Sequence, residues 1–169
     1  MKTIHVILLF LFFVSCGYAY EAPDDAEPLA ILELGAAPSR SLTGEGWSVG
    51  PTMAVEFTPI EKWLEIEVGV TATPRRHRTT EWSADLLFKK PWSLSDKVEF
   101  MIGAGPEWLH NQKSNAIGGA AVLDFMFWTS AKRRFGWYVE PSYEYSFGRG
   151  HERSLGVSAG LLIAIPRRH

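Results

Sequence analysis

Eight stretches of this chain alternate apolar and polar residues with a period of two, and few folds accept that pattern. The clearest is WLEIEVGVTA, residues 63–72, where Leu64, Ile66, Val68, Val70 and Ala72 share one parity and Glu65, Glu67, Gly69 and Thr71 the other. Successive side chains of a β-strand point to opposite faces, so such a segment is a strand with two unlike environments. The other segments are 29–37, 47–58, 80–90, 97–110, 116–130, 135–147 and 153–165, with 62–73 completing the clearest one. Turn chemistry separates them: PSRSLTGEG, PIEK, PRRHR, PWSLSD, NQKSN, AKRRFG and GRGHE. No segment carries a convincing helical period.

The two parities differ in kind. One holds large aliphatic and aromatic residues, such as Val49, Met53, Val55 and Phe57 in the second segment or Leu155, Val157, Leu161 and Ile163 in the last. The other holds Gly, Ala and Ser with carboxylates at intervals, and Leu87 is an apolar exception in the fourth segment. A soluble barrel or sandwich turns its polar face to water and dresses it with Lys, Arg and Gln. Small residues and acids with few cations suit an enclosed space instead, and the large apolar parity suits lipid. Length agrees: a membrane-crossing strand needs about 9–11 residues, whereas strands of soluble proteins average about 5–6. Trp47, Trp63, Trp82, Trp92, Trp108 and Trp137 lie at or beside segment ends, with Trp128 close to one, as two interfacial aromatic rows require. The pattern predicts an all-β chain, an eight-stranded antiparallel up-and-down transmembrane β-barrel with short loops.

The first 19 residues have the parts of a secretory signal: Lys2, an apolar run over 4–14, and small residues up to Ala19. Cleavage is expected before Tyr20, followed by a flexible acidic leader over 20–28 and the barrel over 29–169. FFVSC, ending at Cys16, loosely matches a lipoprotein box and offers a rival cut. Cys16 is the only cysteine, so no internal disulfide can form. The formal charge of −2 carries no bias towards nucleic acid.

These features resemble the small eight-stranded outer-membrane barrels, of the OmpA/OmpX type and opacity-antigen-like. The local marks are VGVTA, MIGAGPEW, WYVEPSYEYSF and a final SLGVSAGLLIAI similar to the closing strand that the barrel-assembly machinery reads. The family usually ends on an aromatic residue, and this chain departs from it with Ile165 and PRRH. The resemblance implies a monomeric protein of the Gram-negative outer membrane with periplasmic termini. Outer-membrane lipid is the implied partner, and the connections around Ser39, Arg76, Asn111 and Gly150 would face outward.

Eight strands enclose an interior that side chains nearly fill, so a wide pore is excluded. The inward parity is expected to carry ten acids: Glu33, Glu56, Glu65, Glu67, Asp85, Glu99, Glu107, Asp124, Glu140 and Glu144. Lys89 and Lys97 are the inward cations expected on strands, with Arg75 and Arg134 reaching in from strand ends. Two carboxylates about 6 Å apart repel by about 3 kcal/mol at an effective dielectric of about 20, so the acids need partners, bound cations or water. The expected role is a structural or surface-interaction barrel with a lumen filled by this polar network. A narrow proton- or cation-selective channel and a soluble exported β-barrel holding a small ligand are the alternatives.

No enzyme and no cofactor are expected. His77, His110 and His151, with Ser114 and Ser154 nearby, form no recognisable nucleophile and base pair, and no metal-ligand spacing joins the histidines. Arg75, Arg76, Arg78, Arg149 and Arg153 fall where lipopolysaccharide phosphates would lie, and Arg grips phosphate in a bidentate fork.

Overall fold

A computed structural model describes residues 28–43, 46–74, 80–111, 114–148 and 151–167. The signal segment, Cys16, most of the leader, Arg75, Arg76, His77, Arg78 and Arg149 lie outside the described residues. Eight strands follow in chain order: β1 (Ala30–Ser41), β2 (Trp47–Ile60), β3 (Leu64–Thr73), β4 (Glu81–Ser95), β5 (Val98–Asn111), β6 (Ser114–Trp128), β7 (Phe135–Ser146) and β8 (Arg153–Ile165). Each pairs antiparallel with its sequence neighbour, and β1 pairs with β8 from Ala30 opposite Ile165 to Ser41 opposite Ser154, closing the barrel. Closure satisfies every strand edge, which an open sheet of this length would leave exposed.

The connections 61–63, 96–97 and 129–134 lie at the end where β1 begins and β8 finishes, here the terminus end. The other four lie at the loop end.

Several boundaries differ from the sequence reading. β4 continues through Pro91 and Trp92 to Ser95, where PWSLSD suggested a turn, and β1 runs through Pro38 to Ser41. A strand held on both sides by neighbours keeps its course past a missing N–H, so ladder pairing overrides the local turn signal. Lys97 is a correction that follows: it sits exposed in the tight turn after β4, not on a strand and not in the lumen.

The large apolar parity faces outward all round. Val49, Val68, Leu86, Ile102, Leu123 and Leu161 are among the exposed aliphatics. Six tryptophans stand outside in two rows of three. Trp47, Trp82 and Trp108 lie towards the loop end, and Trp63, Trp92 and Trp137 towards the terminus end. Trp128 departs from the expectation for it: it is buried inside the barrel. Along β4 the two rows are ten residues apart, from Trp82 to Trp92. That is about 33 Å of strand, or about 25 Å of height at a tilt of about 40°. Lys90, the cation on this outward row, turns its ammonium to the Lys62 carbonyl at the terminus end and lies over the Trp92 ring at 5.7 Å. A long side chain thereby carries its charge out of the apolar band.

Candidate functional site

The interior has three levels, stacked along the axis. At the terminus end Ile31, Met101, Met126, Trp128, Tyr138 and Leu162 pack together from β1, β5, β6, β7 and β8, with Ala164 against them. Met101, Met126 and Leu162 are 0% exposed, so this end is filled with apolar side chains. Five of the six share the parity of the acids on their strands, two residues from Glu33, Glu99, Asp124 or Glu140, or four in the case of Trp128, and Leu162 shares the small-residue parity of β8, two residues from Gly160. The sequence names the acids on that parity and, Trp128 apart, these residues went unassigned. Their signal was the parity itself.

Beside this plug, on its outer side, Glu99 on β5 accepts from the Arg133 guanidinium at 2.8 Å. The sequence reading looked to Arg134 here. Arg133 takes a positive φ of 47° in the turn between β6 and β7, and period-two counting fails once the backbone leaves the strand. Arg134 instead offers its carbonyl to the Ala164 N–H at 3.0 Å.

The middle level is built around Lys89 of β4, whose side chain is fully buried. Its ammonium meets Asp124 of β6 at 2.8 Å, Glu140 of β7 at 2.8 Å, Glu56 of β2 at 3.4 Å, and Glu67 of β3. Strand register brings these acids together: Glu56 and Glu67 stand directly opposite one another, and Glu65 stands opposite Lys89. Like charges directly across a ladder destabilise it, so the pair depends on the ammonium between its carboxylates. Gly103, opposite Lys89, provides the room. A Cβ there would stand 2.6 Å from Lys89 Cγ, so a side chain would expel the lysine stem. Glu33 of β1 joins the same level, 1% exposed, and its Oε1 has no hydrogen-bond partner among the described residues.

Above this level the lumen widens into a cavity of about 370 Å³ that reaches the loop end. Its floor includes Glu33, Glu67, Leu87 and Tyr138, and its walls carry Ser39, Ser48, Thr52, Thr71, Asp85, Glu107 and Glu144. Hydroxyls satisfy part of the wall: Ser39 and Ser48 bond at 2.8 Å, Thr71 donates to Thr52 at 2.8 Å, and Ser154 donates to Glu144 at 2.6 Å. Asp85 and Glu107 face each other across β4 and β5, and Asp85 Oδ1 and Glu107 Oε2 have no partner among the described residues. Gly69 makes the space for Asp85, since a Cβ there would meet its Oδ1 at 2.6 Å.

The structure therefore places Glu33, Glu56, Glu65, Glu67, Asp85, Lys89, Glu99, Glu107, Asp124, Glu140 and Glu144 on the inside, at three heights rather than in one network. Arg153 opens β8 at the loop end, exposed at the cavity mouth, with its N–H held by Thr43 Oγ1 at 3.0 Å. The histidines stay at the rim. His110 stacks on Trp108 at 5.3 Å and bonds Asn115 at 2.6 Å, while His151 bonds the Tyr145 hydroxyl at 2.9 Å. Ser154 is engaged by a carboxylate and not by a histidine.

No protein-family model and no curated protein sequence matches the chain. Solved structures do match it in fold. Neisserial surface protein A superposes with a TM-score of 0.61 at 14% identity, covering 80% of this chain and 96% of that one. The N-terminal β-barrel domain of Pseudomonas aeruginosa OprF gives a TM-score of 0.54 at 11% identity, covering 79% and 97%. At these identities the likeness is one of fold: a closed eight-stranded antiparallel barrel, as the sequence resemblance implies.

Proposed function

We propose that this chain is a Gram-negative outer-membrane β-barrel with a structural or surface-interaction role, blind along its axis. The observation that carries the reading is the continuous outward apolar band of about 25 Å bounded by two rows of tryptophan, the dimension and edging of a bilayer core. A soluble barrel would invert this polarity. The fold shared with Neisserial surface protein A and the OprF barrel domain supports the same reading.

In this reading outer-membrane lipid is the main partner, the assembly machinery engages β8, and the barrel is a monomer. Arg153, with Arg75, Arg76, Arg78 and Arg149 in the outward connections, contacts lipopolysaccharide phosphate. The plug of Met101, Met126, Trp128 and Leu162 disfavours conduction, because an ion leaving the acidic level would enter side chains that offer it no oxygen ligand. The chemistry of the lumen likewise supports a binding or structural role over catalysis.

The test is membrane fractionation with heat-modifiable migration on a gel, followed by planar-bilayer recording of the purified barrel. The expected result is an outer-membrane band that shifts on boiling and a silent bilayer at neutral pH. A chain wholly in the soluble fraction would overturn the membrane reading, and steady single-channel conductance would overturn the blind lumen.

A further inference from the structure

We propose that the cavity above the lysine level binds a small linear aliphatic diamine or polyamine, with one ammonium group held between Asp85 of β4 and Glu107 of β5. The proposal concerns the barrel interior and does not rest on where the barrel resides.

The volume of about 370 Å³ lies within the range of small-molecule sites, and the cavity reaches the loop end. Eight carboxylates line it, and among the described residues the one cation in its lining is Arg153 at the mouth. Lys89 is not part of that lining. It stands four residues further along β4 from Asp85, and its ammonium is engaged by Glu56, Glu67, Asp124 and Glu140 at the middle level. A blind space walled by one sign of charge concentrates small ions of the other sign.

A row of acids alone would carry little, and the decisive group is Glu107. It lines the cavity, is only 5% exposed, and its Oε2 is a buried acceptor with no partner among the described residues. Asp85 stands directly opposite it in the ladder, and Asp85 Oδ1 lacks a partner too. Like charges across a ladder repel, and buried acceptors without donors are costly. A primary ammonium carries three N–H donors and a positive charge, so one such group serves both carboxylates at once.

The spacing of the acids favours an extended ligand over a metal ion. Among the described residues, the carboxylates gathered closely enough to share one ion belong to the lysine level, and Asp85, Glu107 and Glu144 are not gathered in that way. Glu107 and Glu144 stand on either side of β6, whose inward residues at this height are Gly118 and Ala120. Small side chains there leave an open span between the two acids. A methylene chain with an ammonium at each end bridges such a span, with Leu87, Ala120 and Val122 offering it apolar contact. Glu144 is held in place for the second ammonium by the hydroxyls of Ser154 at 2.6 Å and Ser142 at 3.3 Å.

The experiment uses the full chain folded in detergent micelles, titrated calorimetrically at neutral pH with putrescine, spermidine, tetramethylammonium chloride and magnesium chloride in turn. Saturable binding of putrescine or spermidine is expected. Tetramethylammonium, which has the charge but no N–H donor, and magnesium are expected to bind more weakly. Glu107→Gln keeps the shape of the side chain and removes its charge, and is expected to weaken amine binding at least about tenfold. Glu61→Gln, exposed in the turn at the terminus end, removes the same charge far from the cavity and should leave binding unchanged. Heat-modifiable migration checks that both variants are folded. The proposal is overturned if neither amine binds saturably, if magnesium or tetramethylammonium binds as tightly as the amines, or if folded Glu107→Gln binds like the unaltered chain. An equal loss in Glu61→Gln would also overturn it, since the effect would then be one of net charge.

Discussion

Lys89→Met in the folded barrel is expected to lower unfolding free energy by about 3–5 kcal/mol, the cost of removing one partner from a buried ion pair. Methionine matches the lysine stem in length and fills the space over Gly103, so the loss isolates the charge from the packing. Without the ammonium, Glu56, Glu67, Asp124 and Glu140 face one another in a space that is largely shut off from bulk water. The measurement is the urea midpoint of the barrel in detergent, with chelator present, read by tryptophan fluorescence. A midpoint within experimental scatter of the unaltered chain would mean that the acids are balanced without Lys89.

On the opposite face, Leu123→Arg should cost about 2–4 kcal/mol in a lipid bilayer, the penalty for a cation at the midplane of a barrel's outer surface. Leu123 is exposed and stands opposite Ile102, between the two tryptophan rows. Trp137→Arg, in the row at the terminus end, should cost about 0–1 kcal/mol for the charge because the headgroup region solvates it. The contrast between the two positions is the reading that matters. In a water-soluble barrel both substitutions would touch only solvent, and Leu123→Arg would be near neutral. Equal and small effects at the two sites in phospholipid vesicles would therefore count against the bilayer.

The architecture was legible because period-two alternation is a property of the backbone and needs no knowledge of neighbours. Each strand could be found from its own residues, and the small, acidic parity could be set inside because large apolar residues occupied the other. Turn chemistry was less dependable. Pro38 and Pro91 read as ends of strands, yet β1 and β4 run through them, because pairing on both sides outweighs one missing donor. Lys97 went astray for the same reason: with β4 extended to Ser95, the two-residue turn falls on Asp96 and Lys97 and carries the cation out of the lumen.

The candidate site was legible as a list of residues but not as an arrangement. Ten acids could be assigned to the inside by parity, and Lys89 with them. That Asp124, Glu140, Glu56 and Glu67 converge on Lys89, while Asp85 and Glu107 line a separate cavity nearer the loops, depends on strand stagger. Trp128 illustrates the limit most plainly. Its place near a strand end suggested the interfacial row, but its parity matches Asp124 and Met126, and the side chain closes the barrel floor.

The sequence by itself determined the strands, the face each presents and the sign of the lumen, since alternation and charge are written residue by residue. Only the tertiary structure decided the height of each group along the axis. Height follows from the register of eight ladders and from the closure of β1 on β8, relations between segments as far as 135 residues apart, such as Ala30 and Ile165. That register separates an apolar floor, a lysine held among carboxylates and an acidic cavity, three environments that a single inward parity cannot distinguish.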